Sequence, residues 1–230
     1  MLHAERMRAL GAPLIVVMNH ASWWDPLVAL AVSRALLPRR VHYAPMDEVA
    51  LRQYGFFKRL GLFPIAMRSP RGAAEFMRGG AEVLRDARNV LWVTAQGEFA
   101  DVRMRPAGLK MGVGALVHAM ERCVVLPVAI EYPFWDEKLP EALINFGEAI
   151  VVERGAERSA EEWTKVFDSG LVGVQDELAI AAMRRDAAEF ETLIAGGAGV
   201  GGVYEAWQRW RARMRGEKFE SEHGRIGRQR

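Results

Sequence analysis

Cysteine is scarce in this sequence, with Cys123 the only one among 230 residues. A lone thiol excludes a disulfide within the chain, on which many small secreted domains depend. Cys123 stands directly before an apolar run at residues 124–130, so we expect it to be a buried small hydrophobe. The scarcity of cysteine fits a cytoplasmic or cytoplasm-facing location best.

Long apolar runs are also absent. No stretch approaches the roughly 18 to 20 apolar residues that a bilayer-spanning helix needs. The N-terminal segment carries Arg6 and Arg8 but no apolar core before Gly11, so it is a poor signal peptide. We therefore expect any membrane attachment to be peripheral, at the cytoplasmic face of the membrane.

Three motif classes are missing as well. The glycine-rich segment 195–202 is not followed by Gly-Lys-Ser or Gly-Lys-Thr, so it is no phosphate-binding loop. Without a Gly-x-Ser-x-Gly sequence, Ser22 is better explained as a cap or loop hydroxyl than as a nucleophile. The histidines show no paired ligand spacing, so we expect no metal cofactor; they are His3, His20, His42, His118 and His223.

What is present is an alternation of short β-rich runs with helical patterns. Half of the residues are hydrophobic, enough for one sizeable core. The alternation predicts an α/β fold, a layered and largely parallel sheet flanked by helices, with a helical C-terminal extension. The predicted strands are residues 14–18, 41–44, 90–94 and 124–130, with another at 149–152.

Helical patterns set the predicted domain boundaries. We divide the chain into an α/β domain at residues 1–155, a helical extension at 156–215 and a disordered tail at 216–230. Ser69 and Pro70 predict a helix start, with Ser69 as the N-cap. Three apolar stripes are expected to pack into the core: Ala73, Phe76, Met77, Gly80 and Leu84; Leu109, Val113, Leu116, Val117 and Met120; and Trp163, Val166, Phe167, Val174 and Leu178.

Positive charge is concentrated near the C-terminus. Residues 203–230 carry eight basic and four acidic side chains, whereas the whole chain has a net charge of only +2. Tyr204, Trp207 and Trp210 alternate there with arginines, which suits a membrane interface. An ordinary helix that packs its aromatic side chains on the domain is an equally good explanation. The basic tail alone gives no reason to expect nucleic-acid binding.

His20 and Asp25 are the candidate catalytic residues. His20 follows an apolar strand, at the kind of strand exit where α/β proteins place their chemistry. Asp25 precedes Pro26 and is expected to cap the next helix. A carboxylate near an imidazole fixes its tautomer and stabilises the imidazolium, which suits a general base for a hydroxyl.

The spacing of this pair is not specific, because His42 and Asp47 repeat it. The residues inside the first pair distinguish them: positions 19–25 read Asn-His-Ala-Ser-Trp-Trp-Asp, which resembles the Asn-His-x-Ser-x-x-Asp signature of the glycerolipid acyltransferase family. In that resemblance, Asn19 and Ser22 are candidate substrate-binding residues. The second pair resembles a later strand and helix start of the family, so Asp47 is expected to be a plain N-cap.

Two further blocks bear on substrate binding. Residues 61–68 are similar to the family's second block, whose arginine binds the acceptor phosphate, here Arg68; a surface ion pair is the alternative role. Residues 94–99 depart from the family's Phe-Pro-Glu-Gly-Thr-Arg, and only Gly97 is identical. Gln96, Gly97 and Glu98 are candidate substrate contacts, and the Gly97 amide is a candidate oxyanion donor.

The family's second phosphate-binding arginine is replaced by Phe99, so another cation is needed if a phosphate binds here. Arg103, Arg105 and Lys110 are the candidates, and Lys110 lies in a Leu-Lys-Met-Gly sequence that resembles the family's Phe-Lys-x-Gly. Residues 125–130 are similar to the fourth block, whose proline, here Pro127, shapes the site wall in the family; a buried strand interrupted by proline is the alternative.

The resemblance implies an O-acyltransferase that moves an acyl group from acyl-CoA or acyl-carrier protein to a lipid hydroxyl, with no cofactor. The altered third block favours a lipid or glycolipid acceptor over a simple lysophosphatidate. Two alternatives stay open: a true 1-acylglycerol-3-phosphate acyltransferase, and a non-catalytic lipid-binding protein of the same fold. The partners expected are the thioester donor, the lipid acceptor and a membrane surface.

Overall fold

A computed structural model describes residues 1–8, 13–135 and 139–194 of the chain. The sheet contains β1 (Leu14–Met18), β2 (Val41–Asp47), β3 (Leu62–Ile65), β4 (Asn89–Thr94), β5 (Cys123–Glu131), β6 (Leu143–Phe146) and β7 (Ile150–Val152). The α-helices are α1 (Glu5–Arg8), α2 (Asp25–Leu36), α3 (Glu48–Gln53), α4 (Pro70–Leu84), α5 (Gly112–His118) and α6 (Ala160–Arg184). Short 3-10 turns occupy Gly55–Leu60, Gly155–Glu157 and Ala187–Glu189.

The sheet is mostly parallel, which confirms the predicted fold class. Its strand order is β3-β2-β4-β1-β5-β6, and β7 also pairs with β5. Strands β1 to β5 run parallel, whereas β6 and β7 pair antiparallel with β5. The sequence patterns predicted every strand but two: β6 was not predicted, and β3 was expected only as a short segment within the Arg68 block.

Strand β1 lies at the centre of the sheet, between β4 and β5. All five of its residues are buried. Val16 packs in one apolar cluster, whereas Ile15 and Val17 pack in another, because successive side chains of a strand point to opposite faces. Both faces of the sheet are therefore covered, as expected for a parallel sheet.

Helix α6 packs against α5, β5 and β6. Ser159 and Glu162 form a capping box that begins the helix. Its predicted apolar stripe is largely correct, because Trp163, Phe167 and Val174 are buried. The domain boundaries at residues 155 and 215 stay predictions, and the glycine-rich segment, the Trp207 and Trp210 segment and the expected disordered tail lie outside the described residues.

Helix α4 begins as predicted, with the Ser69 hydroxyl accepting a hydrogen bond from Gly72 N. Phe76, Gly80 and Leu84 of its stripe are buried, but Ala73 is exposed and lines a cavity instead of the core. Cys123 is fully buried, and burial raises its pKa to about 12. Among the described residues, no helix has both the length and the apolar character to cross a membrane.

Candidate active site

His20 lies two residues beyond the end of β1, where the carboxyl ends of β4 and β5 also meet. Its Nδ1 is 2.7 Å from Asp25 Oδ2. An ionised carboxylate can only accept, so Nδ1 carries the proton and Nε2 is left with its lone pair. Within the part of the chain that the structure describes, no group hydrogen bonds to Nε2.

The Asp25 carboxylate is buried, with 1% of the residue exposed, and it accepts three hydrogen bonds. Oδ2 accepts from His20 Nδ1 and from Ser22 N at 3.1 Å. Oδ1 accepts from the Tyr132 hydroxyl at 2.8 Å. A buried charge is costly unless it is hydrogen bonded, so these three donors are what make an ionised Asp25 possible here.

The expectation that Asp25 caps α2 was wrong. The helix begins at Asp25 itself, Trp24 holds the N-cap position, and no side chain caps the helix. The Asp25 carboxylate is directed back to His20 and Ser22 instead of to the first amides of the helix. Asp47, by contrast, does cap α3 by accepting from Val49 N at 2.9 Å.

Tyr132 was not identified from the sequence. It follows directly after β5, so it reaches the same edge of the sheet as His20. Burial, together with the neighbouring Asp25 charge, raises the pKa of its hydroxyl, which therefore stays protonated and donates. The sequence signal was only its position just past the apolar run 124–130, since the pairing of that strand with β1 is seen in the structure alone.

Asn19 and Gln96 hold the backbone around His20. Asn19 makes two hydrogen bonds to Ile130, donating to its carbonyl at 2.9 Å and accepting from its amide at 2.8 Å. Gln96 accepts from His20 N at 2.7 Å and donates to Ala107 O at 2.8 Å. Both side chains are buried, and their polar groups are already hydrogen bonded to the protein backbone.

A wide cavity of about 1040 Å³ opens beside His20. The side chains of His20 and Asp25 are 20% and 1% exposed, respectively, so the imidazole is the accessible member of the pair. Most of the lining is apolar and comes from α2, β2, β3, α4 and β4; examples are Leu30, Met46, Ile65, Phe76 and Trp92. The site therefore has room for a long apolar substrate beside the imidazole.

Charged side chains meet at one end of the cavity. Arg68 Nη2 lies 3.1 Å from Glu98 Oε2, and Lys110 Nζ lies 3.7 Å from Glu98 Oε1. All three residues line the cavity. The Gly97 amide donates to Thr94 O at 3.0 Å, so it is already occupied and does not match the expected oxyanion donor.

The remaining candidates lie elsewhere. Arg103 pairs with Asp101, and Arg105 pairs with Asp176; neither arginine lines the cavity. Of the three cations considered as replacements for the missing arginine, Lys110 alone lines the cavity. The Ser22 hydroxyl accepts from Trp24 N at 3.3 Å, which agrees with a loop hydroxyl.

Pro127 does not form a wall of this cavity. A Cβ placed on Gly147 would lie 2.8 Å from the Pro127 ring and 2.4 Å from Val174, so the proline packs towards α6. Its carbonyl accepts from Gly147 N at 2.9 Å. The alternative role, a buried strand interrupted by proline, is the one that the geometry matches.

His42 differs from His20 in its hydrogen bonds, because both of its ring nitrogens have partners within the protein. Trp92 Nε1 donates to His42 Nδ1 at 3.1 Å, so Nε2 carries the proton and lies 3.1 Å from Leu37 O. Burial is the main cause that lowers the pKa of His42. A neutral ring with both nitrogens bonded to protein is not placed to take a proton from a substrate.

A comparison with family models matches residues 2–131 to the family described as Acyltransferase. That match covers more than half of the chain and includes β1 to β5, His20 and Asp25. Comparisons with curated proteins and with solved structures found no match. The chain therefore belongs to the acyltransferase family, that of the glycerolipid acyltransferase domain, and is an acyltransferase.

Proposed function

We propose that this protein transfers an acyl group from a thioester, either acyl-CoA or acyl-carrier protein, to the hydroxyl of a lipid or glycolipid, with His20 as the general base. The observation that carries the proposal is the 2.7 Å contact between His20 Nδ1 and a buried Asp25, beside an open apolar cavity. We place the reaction at the cytoplasmic face of a membrane, where lipid acceptors are found.

The proposed step is direct transfer. His20 Nε2 takes the proton of the acceptor hydroxyl as its oxygen attacks the thioester carbonyl. The tetrahedral intermediate then collapses, the C–S bond breaks, and the imidazolium returns its proton to the leaving thiolate. Asp25 stabilises the imidazolium between these two transfers, so neither a covalent enzyme intermediate nor a cofactor is needed.

The contacts of Glu98 indicate which kind of acceptor the site favours. Its carboxylate lies within ion-pair distance of both Arg68 and Lys110, so part of their positive charge is already neutralised. A phosphate would have to compete with Glu98 for these cations. This arrangement supports a neutral lipid or glycolipid hydroxyl over 1-acylglycerol 3-phosphate, which is the alternative acceptor.

Substitution of the catalytic pair tests the reaction. We expect His20→Ala and Asp25→Asn to lower the rate of thiol release at least about 100-fold, the usual share of general acid–base catalysis. His42→Gln is the matched control, because His42 also lines the cavity but has both nitrogens bonded. Wild-type turnover in His20→Ala would overturn the assignment.

A Glu98→Gln variant tests the acceptor. Removal of the carboxylate frees Arg68 and Lys110, so inhibition by glycerol 3-phosphate should strengthen by up to about fivefold, as expected for exposed ion pairs. Glu153→Gln is the control, since Glu153 pairs with Arg122 away from the cavity. Strong inhibition of the wild type, unchanged in Glu98→Gln, would favour a phosphate-bearing acceptor instead.

A further inference from the structure

An aromatic cluster, which we call the lip, borders the cavity. Trp23 lies with its ring centroid 5.9 Å from that of Trp24 and 6.3 Å from that of Tyr54. The cluster continues from Tyr54 to Phe57 at 6.4 Å and from Phe57 to Phe56 at 4.1 Å. The lip thus joins the start of α2 to the 3-10 turn at Gly55–Leu60.

Three rings of the lip are unusually open to solvent for their size, whereas Phe57 is buried and anchors the cluster to the domain. Trp23, Trp24 and Phe56 are 52%, 57% and 54% exposed. Single exposed apolar side chains are ordinary, but a contiguous group of large exposed rings marks a surface that binds a partner, a ligand or a membrane when the protein functions. Trp23, Tyr54 and Phe57 also line the cavity, so the covered surface would adjoin the site of reaction.

Positive charge adjoins the lip. Lys58 and Arg59 belong to the same 3-10 turn as Phe56 and are exposed. Across the described ranges, neither has an acidic side chain in ion-pair contact, whereas nearby Glu48 is already paired with Arg52 and Arg71. The turn therefore offers two cations to an anionic surface.

We propose that the lip, together with Lys58 and Arg59, docks on a lipid bilayer that contains anionic lipids. Tryptophan and tyrosine favour the headgroup region, where the ring body meets acyl chains and the polar atom meets water. Lysine and arginine bind the anionic headgroups at the same depth. This inference extends the proposed function, because a lipid acceptor would then enter the cavity directly from the bilayer.

Vesicle binding by the full chain tests the inference without any reaction. The vesicles are phosphatidylcholine alone, or phosphatidylcholine with phosphatidylglycerol. We expect tighter binding to the anionic vesicles, and a loss of about tenfold or more in both Trp24→Ser/Phe56→Ser and Lys58→Gln/Arg59→Gln. Serine suits the N-cap position that Trp24 holds, so the first variant should keep α2 intact.

Matched controls distinguish binding through the lip from non-specific binding of vesicles to exposed apolar or charged side chains. Phe134→Ser removes a ring that is 66% exposed, follows β5 and does not belong to the lip. Arg88→Gln/Arg122→Gln removes two positive charges that directly precede β4 and β5. They lie at the amino ends of these strands, whereas His20 follows the carboxyl end of β1. Both controls should bind vesicles as the wild type does.

The outcomes are distinct. Wild-type vesicle binding in both lip variants, or loss of binding only in Trp207→Ser/Trp210→Ser, would overturn the inference. So would lip variants that bind vesicles normally but lose self-association or binding to acyl-carrier protein. His20→Ala should bind vesicles normally, and the lip variants should keep wild-type turnover of a water-soluble acceptor, so a failed lip and a failed reaction give different results.

Discussion

At the scale of single residues, Asp25 is the residue to which three polar groups of the site hydrogen bond. It is buried, and its carboxylate holds His20, the Ser22 amide and the Tyr132 hydroxyl together. His20 and Ser22 lie in the loop between β1 and α2, whereas Tyr132 follows β5, so the position of the imidazole depends on contacts within the loop and across the sheet. Tyr132 supports His20 only through Asp25 and is a positioning residue.

Tyr132→Phe should therefore lower kcat without changing KM, because Tyr132 does not line the cavity. A lost hydrogen bond to a charged group is worth about 1.5 to 3 kcal/mol, so a decrease of about tenfold or more in kcat is expected. Steady-state kinetics with a saturating thioester measures it. Trp163→Phe, which removes a buried hydrogen bond to Gly155 O away from the cavity, is the control, and an equal effect there would contradict a specific role for Tyr132.

His42 makes stability depend on pH. Burial lowers its folded-state pKa, so the unfolded chain binds more protons as the solution becomes acidic. The free energy of unfolding should therefore fall as pH drops below about 6.5, the ordinary pKa of histidine. Urea unfolding across that range measures the slope, and His42→Gln should flatten it; an unchanged slope would show that other groups dominate.

Sequence reasoning succeeded where a local signal existed. His20 and Asp25 were found because they flank the short loop between a strand end and a helix start, and because residues 19–25 resemble the family signature. Tyr132 was missed because its contact with Asp25 depends on the pairing of β1 with β5, which no local pattern encodes. The roles of Asn19 and Gln96 in holding backbone were missed for the same reason.

At the scale of elements, close packing of α5 on α6 depends on Gly114. A Cβ added there would lie 2.2 Å from the Ala160 carbonyl oxygen and 2.3 Å from the Thr164 hydroxyl oxygen. The backbone of α6 would have to move to admit even one methyl group. This close approach explains why the two helices contact each other so extensively.

Gly114→Ala should lower the free energy of unfolding by about 1 to 3 kcal/mol, the usual cost of overpacking. Gly173→Ala is the matched control in α6, because nothing lies within 4 Å of its added Cβ. Alanine there should stabilise the helix by about 0.5 to 1 kcal/mol. Denaturant unfolding measures both, and a stable Gly114→Ala would mean that α5 and α6 can separate at little cost.

Elements with strong periodicity were predictable. The alternation of β-rich runs gave most strands within one or two residues, and the stripe of α6 was correct at its buried positions. Strand β6 has four residues, and the polar Asn145 interrupts its apolar run, so the sequence carried no clear strand signal there. Ala73 was assigned to the core because a stripe cannot tell a packed face from a cavity wall.

At the scale of the whole molecule, the sheet divides the site into two parts. His20 and its supports Asn19, Gln96 and Tyr132 follow β1, β4 and β5, and Asp25 opens α2, whereas the cavity is bounded mainly by α2, β2, β3, α4 and β4. Asn19 ties the end of β1 to the end of β5 through two buried hydrogen bonds. The proposed general base is therefore held at the centre of the sheet, at the joined ends of β1 and β5.

The two hydrogen bonds between Asn19 and Ile130 have an evolutionary consequence. Mutations in β2, β3 and α4 that reshape the cavity wall can change which molecule is acylated and still leave the base in place, because these elements carry neither His20 nor its supports. New specificities on this scaffold are best sought by varying β2, β3 and α4.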